Sequence, residues 1–279
     1  LKTSESSDPH RPVSHDALPA AMQACTRPGY LLIGHGTRDL GGTQEFLQLG
    51  AVLGQLLAPA PVEACFLELQ QPTIGEAWQR MVASGVDGIY AMPLLLFAAG
   101  HAKRDIPEEL QAACDAAIGE SRGLPFVQTP PLQCHPKLLE LSAIRAQQAI
   151  DAAGGVDRAR TALVMVGRGS LDDGATAEMY RFSELRGQSL RPAVVRTGFV
   201  AMARPDLAAV LDEVAQLPEI DTIVVQPHLL FQGDLNQRVM QMVDVAADRH
   251  RDRRWIAVDR LGPDPRLAQA LIELAAEID

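Results

Sequence analysis

After Gly29 the chain alternates short apolar runs with longer stretches whose apolar residues recur at helical spacing, the mark of repeated βα units. Tyr30–Gly34 reads as a first strand, and the helix after it places Phe46, Leu49, Leu53 and Leu56 on one face. Ala64–Leu69 forms the second strand, and Thr73 with Glu76 supplies a capping box for the next helix. Gly88–Pro93 is the third strand, and Pro107 suits the first turn of a helix running to about Ile118, where its missing N–H costs nothing. Phe126–Thr129 and a helix from Pro136 to Ala153 close this half.

The series then restarts. Strands are expected over Ala162–Gly167, Val194–Val200, Thr222–Pro227 and Trp255–Val258, with helices over Ala175–Leu185, Pro205–Leu217, Leu235–Ala247 and Pro265–Ile278. The restart is a duplication. Ile33-Gly-His-Gly-Thr-Arg-Asp39 matches Val166-Gly-Arg-Gly-Ser-Leu-Asp172 at an offset of 133, which also brings Glu45 onto Glu178, Phe66 onto Phe199 and Pro72 onto Pro205. Pro93-Leu-Leu-Leu-Phe97 matches Pro227-His-Leu-Leu-Phe231, and Gly100 matches Gly233. The expected fold is therefore α/β with two similar halves, 29–155 and 156–279, each a four-stranded parallel sheet flanked by helices, with a cleft between them. Residues 1–28, rich in Ser, Pro, His and charge, read as a disordered lead, and because Leu1 is not Met the true N-terminus is expected further upstream.

Composition narrows the partners. A formal charge of -10 and a pI near 5.2 leave no broad basic face for nucleic acid, so an anionic ligand needs a local basic pocket. No apolar run approaches the roughly 20 residues of a membrane span. The four cysteines, Cys25, Cys65, Cys114 and Cys134, show no paired metal-site spacing, and free thiols in a reducing cytoplasm are expected.

Comparing the halves isolates the chemistry. His35 is replaced by Arg168, Glu68 by Ala201 and His101 by Asp234, so every candidate metal ligand lies in the N-terminal half. Each residue alone fits a turn or a surface loop. His35 ends the first strand, Glu68 lies near the end of the second and His101 follows the third and its loop, so together they fall on the carboxyl rim where open α/β sheets gather ligands. Two imidazoles and a carboxylate suit cobalt, iron, nickel or zinc better than magnesium or calcium, and a neutral imidazole also takes up protons near neutral pH.

Leu-Ile-Gly-His-Gly-Thr-Arg-Asp, Phe-Leu-Glu-Leu-Gln-Gln-Pro and Pro-Leu-Leu-Leu-Phe-Ala-Ala-Gly-His-Ala-Lys-Arg-Asp-Ile-Pro together resemble the sirohydrochlorin chelatases, and the resemblance covers nearly everything after Pro28. It implies a chelatase-like fold, a cytoplasmic location and insertion of a divalent metal, Co2+ first, then Fe2+ or Ni2+, into sirohydrochlorin for cobalamin or siroheme. By the same resemblance His35 and His101 are catalytic, His35, Glu68 and His101 bind the metal, and the loop Leu96, Phe97, Ala98, Ala99 and Gly100 lies against the macrocycle. Some long members of the family carry a C-terminal His-rich tail or an iron–sulfur cysteine motif, and this sequence shows neither.

Arg38, Lys103 and Arg104, with Arg168 beside them, are the cations nearest these motifs for the substrate's carboxylates. No cofactor is expected beyond the metal substrate, since Gly34-His35-Gly36 lacks the third glycine of a dinucleotide turn and no Walker sequence occurs. A monomer is expected, because two halves in one chain already build a pseudo-symmetric cleft. The competing readings are a tetrapyrrole or metal carrier using the same ligands, and a histidine phosphatase-like enzyme, which would need Arg where Gly34 stands.

Overall fold

The computed structural model describes residues 22, 24–98, 100–117 and 124–278. In chain order the first half comprises β1 (Pro28–Gly34), α1 (Leu40–Leu57), β2 (Val62–Phe66), α2 (Ile74–Ser84), β3 (Gly88–Pro93), α3 (Ile106–Ala117), β4 (Phe126–Gln128) and α4 (Pro136–Ala152). The second comprises β5 (Thr161–Gly167), α5 (Asp173–Leu190), β6 (Val194–Phe199), α6 (Leu207–Ala215), β7 (Thr222–Pro227), α7 (Asp234–Arg249), β8 (Arg254–Ala257) and α8 (Pro265–Ala276). Each half forms a four-stranded parallel sheet, ordered β2-β1-β3-β4 and β6-β5-β7-β8. Strands β3, β5 and β7 are buried at every residue, which is why they read as largely apolar runs rather than alternations.

The duplication extends to the backbone. Asp39 and Asp172, 133 apart, cap α1 and α5 by accepting from Gly42 N and Ala175 N at 2.9 and 3.1 Å. Gly36 and Gly169 both hold left-handed φ, +98° and +89°, and each packs its α-carbon against the carbonyl group of the loop after the neighbouring strand, at Glu68 and Ala201.

The halves interlock through their last helices. Helix α4 packs against α5 and β8 of the second half, while α8 returns to pack against α1 and β3 of the first. One hydrophobic core consequently runs through both, from Leu32, Phe46 and Met92 to Leu163, Met165 and Phe182. Arg186 of α5 crosses it, fully buried, donating to Ser142 Oγ of α4 at 2.9 Å, while Gln226 of β7 donates to the Ser142 carbonyl at 2.6 Å. Burial pushes the Arg186 guanidinium down to about 10.

Two expectations change. The lead was expected to extend to residue 28, but its last part is ordered: Met22 is buried, and Asp87 accepts from Thr26 N, Thr26 Oγ1 and Arg27 N at 2.7–3.2 Å. A carboxylate meeting several backbone and side-chain donors at once anchors a segment that carries no periodic signal. Residues 1–21 lie outside the described ones. The helix expected to start at Pro107 begins at His101 instead, as a π-helical turn over His101–Asp105 that leads directly into α3. In that wider turn Pro107 would owe a hydrogen bond to the Ala102 carbonyl and has no N–H to give. Gln128 Nε2 of β4 donates to that carbonyl at 3.0 Å in its place.

Candidate functional site

His35 stands where β1 ends. Gly34 before it is pressed on the Phe46 ring, with no room for a side chain. Beyond β2 the pairing continues: Leu67 N donates to Gly34 O at 2.8 Å and Glu68 N to His35 O at 3.1 Å. These bonds set Glu68 beside His35, two residues past the end of β2 rather than within the strand, with His35 Nε2 3.3 Å from Glu68 Oε1. His35 Nδ1 lies 3.2 Å from Gly36 O. In the tautomer that donates Nδ1–H to this oxygen, Nε2 turns a lone pair toward a carboxylate. Two acceptors so close call for a proton or a metal ion between them.

The imidazole opens on a cavity of about 560 Å³ between the halves. The first half lines it with Leu94, Leu95, Leu96, Phe97 and Arg104, and the second with Arg168, Asp172, His228, Leu229 and Leu230. Arg168 therefore occupies in the second half the place of His35 in the first, so the cavity has an imidazole on one wall and a cation on the other, with Glu68 beside His35 just off the wall.

The remaining expected residues divide. Leu96, Phe97, Gly100 and Arg104 line the cavity, whereas Ala98 does not, and Ala99 lies outside the described residues. His101 opens the π-turn at the cavity's edge, but its side chain lies outside the described residues. Arg38 is exposed and stands off the cavity wall, just before the Asp39 cap of α1. Lys103 is not on the wall either. It spans the mouth to Asp172 at 2.6 Å, a contact that holds the Asp172 carboxyl below its ordinary range. Arg104 pairs with Asp105 at 2.9 Å, which pushes its guanidinium up. Among the described residues no three His, Cys, Asp or Glu side chains cluster closely enough to hold a metal, so His35 and Glu68 form a two-donor half-site. The described cysteines form no disulfide with one another, and burial pushes the Cys65 thiol up to about 12.

Two residues were not anticipated. Asp172 was noticed only as a repeat match, and its role at the mouth depends on Lys103 from the other half. His228 lies in Gln226-Pro-His-Leu-Leu-Phe-Gln-Gly, a stretch that resembles the family's non-catalytic half and is expected to close the cleft and hold substrate, but it was not singled out there, and the structure places it in the cavity wall.

A duplicated parallel α/β fold, with imidazole and carboxylate at the rim of one half and a cavity closed by the other, defines a two-half chelatase-type protein. The chain belongs to the CbiX family, whose pattern it matches twice, over residues 29–149 and 162–278. A sirohydrochlorin cobaltochelatase of Priestia megaterium is 29% identical over 248 residues, 88% of this chain and 78% of that protein. A sirohydrochlorin ferrochelatase of the same organism is 28% identical over 246 residues, 86% of each. In structure the chain is similar to SirB from Bacillus subtilis with Fe3+, with a TM-score of 0.79 at 24% identity over 90% of this chain and 95% of that one, a likeness of fold.

Proposed function

We propose that this protein inserts a divalent metal, Co2+ first and Fe2+ next, into sirohydrochlorin, in cobalamin or siroheme synthesis. The CbiX match across both halves supports the chelatase activity. The single observation that carries the site is His35, on the cavity wall, with its Nε2 facing Glu68 Oε1 at 3.3 Å. The metal is a substrate. His35, Glu68 and His101 present it, a mixed nitrogen and oxygen set suited to either ion.

Metal entry expels two pyrrole protons, and His35 and His101 take them up and pass them to water. The leucines of the cavity floor face the flat macrocycle, with Leu96, Phe97, Ala98, Ala99 and Gly100 forming the loop against it. Arg104 and Arg168 on the wall, with Lys103 and Arg38 further out, meet its carboxylates. The half 29–155 carries the chemistry, and the half 156–279 closes the cleft. The protein acts as a cytoplasmic monomer without ATP. None of the described helices is long and apolar enough to cross a membrane.

The test is an anaerobic absorbance assay of sirohydrochlorin with Co2+ or Fe2+ at catalytic protein concentration, comparing the native chain with His35→Ala and His101→Ala. Multiple turnovers in the native protein that both substitutions abolish are expected. Stoichiometric binding without turnover would refute catalysis and leave a carrier.

A further inference from the structure

His228 follows β7 as Leu94 follows β3, one residue beyond the proline that ends each strand, and both residues line the cavity. The substitution of imidazole for leucine comes with a penalty. His228 is only 2% exposed, between the rings of Phe182 and Phe97, whose centroids lie 4.0 and 5.3 Å away. Among the described residues neither Nδ1 nor Nε2 has a hydrogen-bond partner. Burial pushes the group down to about 3, so the imidazole is neutral and carries one unmet donor and one unmet acceptor.

An unsatisfied polar group in such a place destabilises the fold relative to the leucine of the other half. It is tolerated where the partner arrives only in a complex. The two carboxylates lining the cavity are already engaged, Asp172 with Lys103 and Asp105 with Arg104. Leu94, Leu95, Leu229 and Leu230 on the lining are apolar, and its polar residues Arg168, Ser170 and Thr176 make no hydrogen bond to His228. The partner missing from its acceptor nitrogen is therefore a hydrogen-bond donor carried by the cavity's own ligand.

We propose that His228 is the second half's contact with the macrocycle: its acceptor nitrogen receives a hydrogen bond from a pyrrole N–H of unmetallated sirohydrochlorin when Phe97 swings aside. This rests on the chelatase reading above. The pyrrole N–H bonds of a flat macrocycle point at the ring centre, so only a buckled ring donates outward. His228 thus favours the distorted form that admits the metal. No proton moves to His228, since burial favours its neutral form. When the metal replaces the proton the hydrogen bond is lost, and the metallated product is held less tightly than the substrate.

The experiment titrates the full chain with sirohydrochlorin and, separately, with its cobalt complex, following absorbance, for the native protein, His228→Leu and His228→Gln, alongside thermal unfolding. His228→Leu is expected to raise Tm, to weaken binding of the free macrocycle about tenfold, and to leave affinity for the cobalt complex unchanged. His228→Gln, which keeps an acceptor, should recover part of the lost affinity. Unchanged affinity for the free macrocycle in His228→Leu, equal weakening for both macrocycles, or a lowered Tm would each overturn the proposal. A native protein that binds no sirohydrochlorin removes the chelatase reading itself, and this proposal with it. That outcome is read from the native chain alone.

Discussion

The two glycines after His35 and Arg168 allow the same backbone perturbation to be applied once beside the chemistry and once away from it. In Gly36→Ala the new methyl overlaps the Glu68 carbonyl oxygen, at a φ of +98°. In Gly169→Ala it meets Ala201 O at 2.7 Å and Ala203 N at 2.8 Å, at a φ of +89°. Placing alanine in the left-handed region costs about 1–2 kcal/mol, and crowding against backbone that must shift adds about 1–3 kcal/mol, so each variant should lose about 2–5 kcal/mol. For a chain of this size that lowers Tm by about 4–10 °C.

The catalytic effects should diverge. To admit the methyl, the Glu68 backbone must retreat by roughly 1 Å, taking with it the carboxylate opposite His35, and a displacement of that size costs about 100-fold in turnover. Ala201, moved in the other variant, carries no ligand. Tm by calorimetry and kcat for metal insertion at saturating sirohydrochlorin separate the two effects. We expect comparable falls in Tm but a loss of kcat below about tenfold in Gly169→Ala against about 100-fold in Gly36→Ala. Equal losses of kcat, or full activity in Gly36→Ala, would refute the assignment of chemistry to the His35–Glu68 pair.

Two further outcomes are expected. Gln128→Ala strips the Ala102 carbonyl of its donor, so the π-turn that begins at His101 should loosen, seen as faster amide exchange over residues 101–106 and metal insertion slowed by about 3–10-fold, with native rates in that segment counting against the substitute-donor account. Asp87 is held far below the ordinary carboxyl range, chiefly by donors from Cys25 and Thr26. A lowered folded value means the anchor is complete above the unfolded pKa and weakens as pH falls below about 4. Amide exchange at Thr26 and Arg27 should accelerate on acidification and be fast at every pH in Asp87→Ala, and exchange insensitive to both would discard it.

The duplication, the order of eight strands and the three motif positions were all legible in the residues, because each depends on local patterning. Apolar runs, helical spacing and an offset of 133 survive in one dimension. The carboxyl ends of neighbouring parallel strands meet by topology, so even the approach of Glu68 to His35 followed from element order, with only the two-residue overshoot past β2 left to the backbone bonds of Gly34 and His35. Arg38 and Lys103 stand off the cavity wall for the converse reason. Nearness in sequence to a motif does not decide where a long, flexible side chain ends up, and the partner of Lys103 is 69 residues away in the other half.

The same limit hid the ordered end of the lead, whose main polar hold is the carboxylate of Asp87 some 60 residues distant, and the π-turn, whose Ala102 carbonyl is met by an amide from β4. It hid His228 most completely. Its type and position are plain in the chain, but an imidazole becomes chemically informative only when the fold removes water and partners from around it. Burial is a sum over contacts from Phe97 in one half and Phe182 in the other, and no local pattern carries that sum.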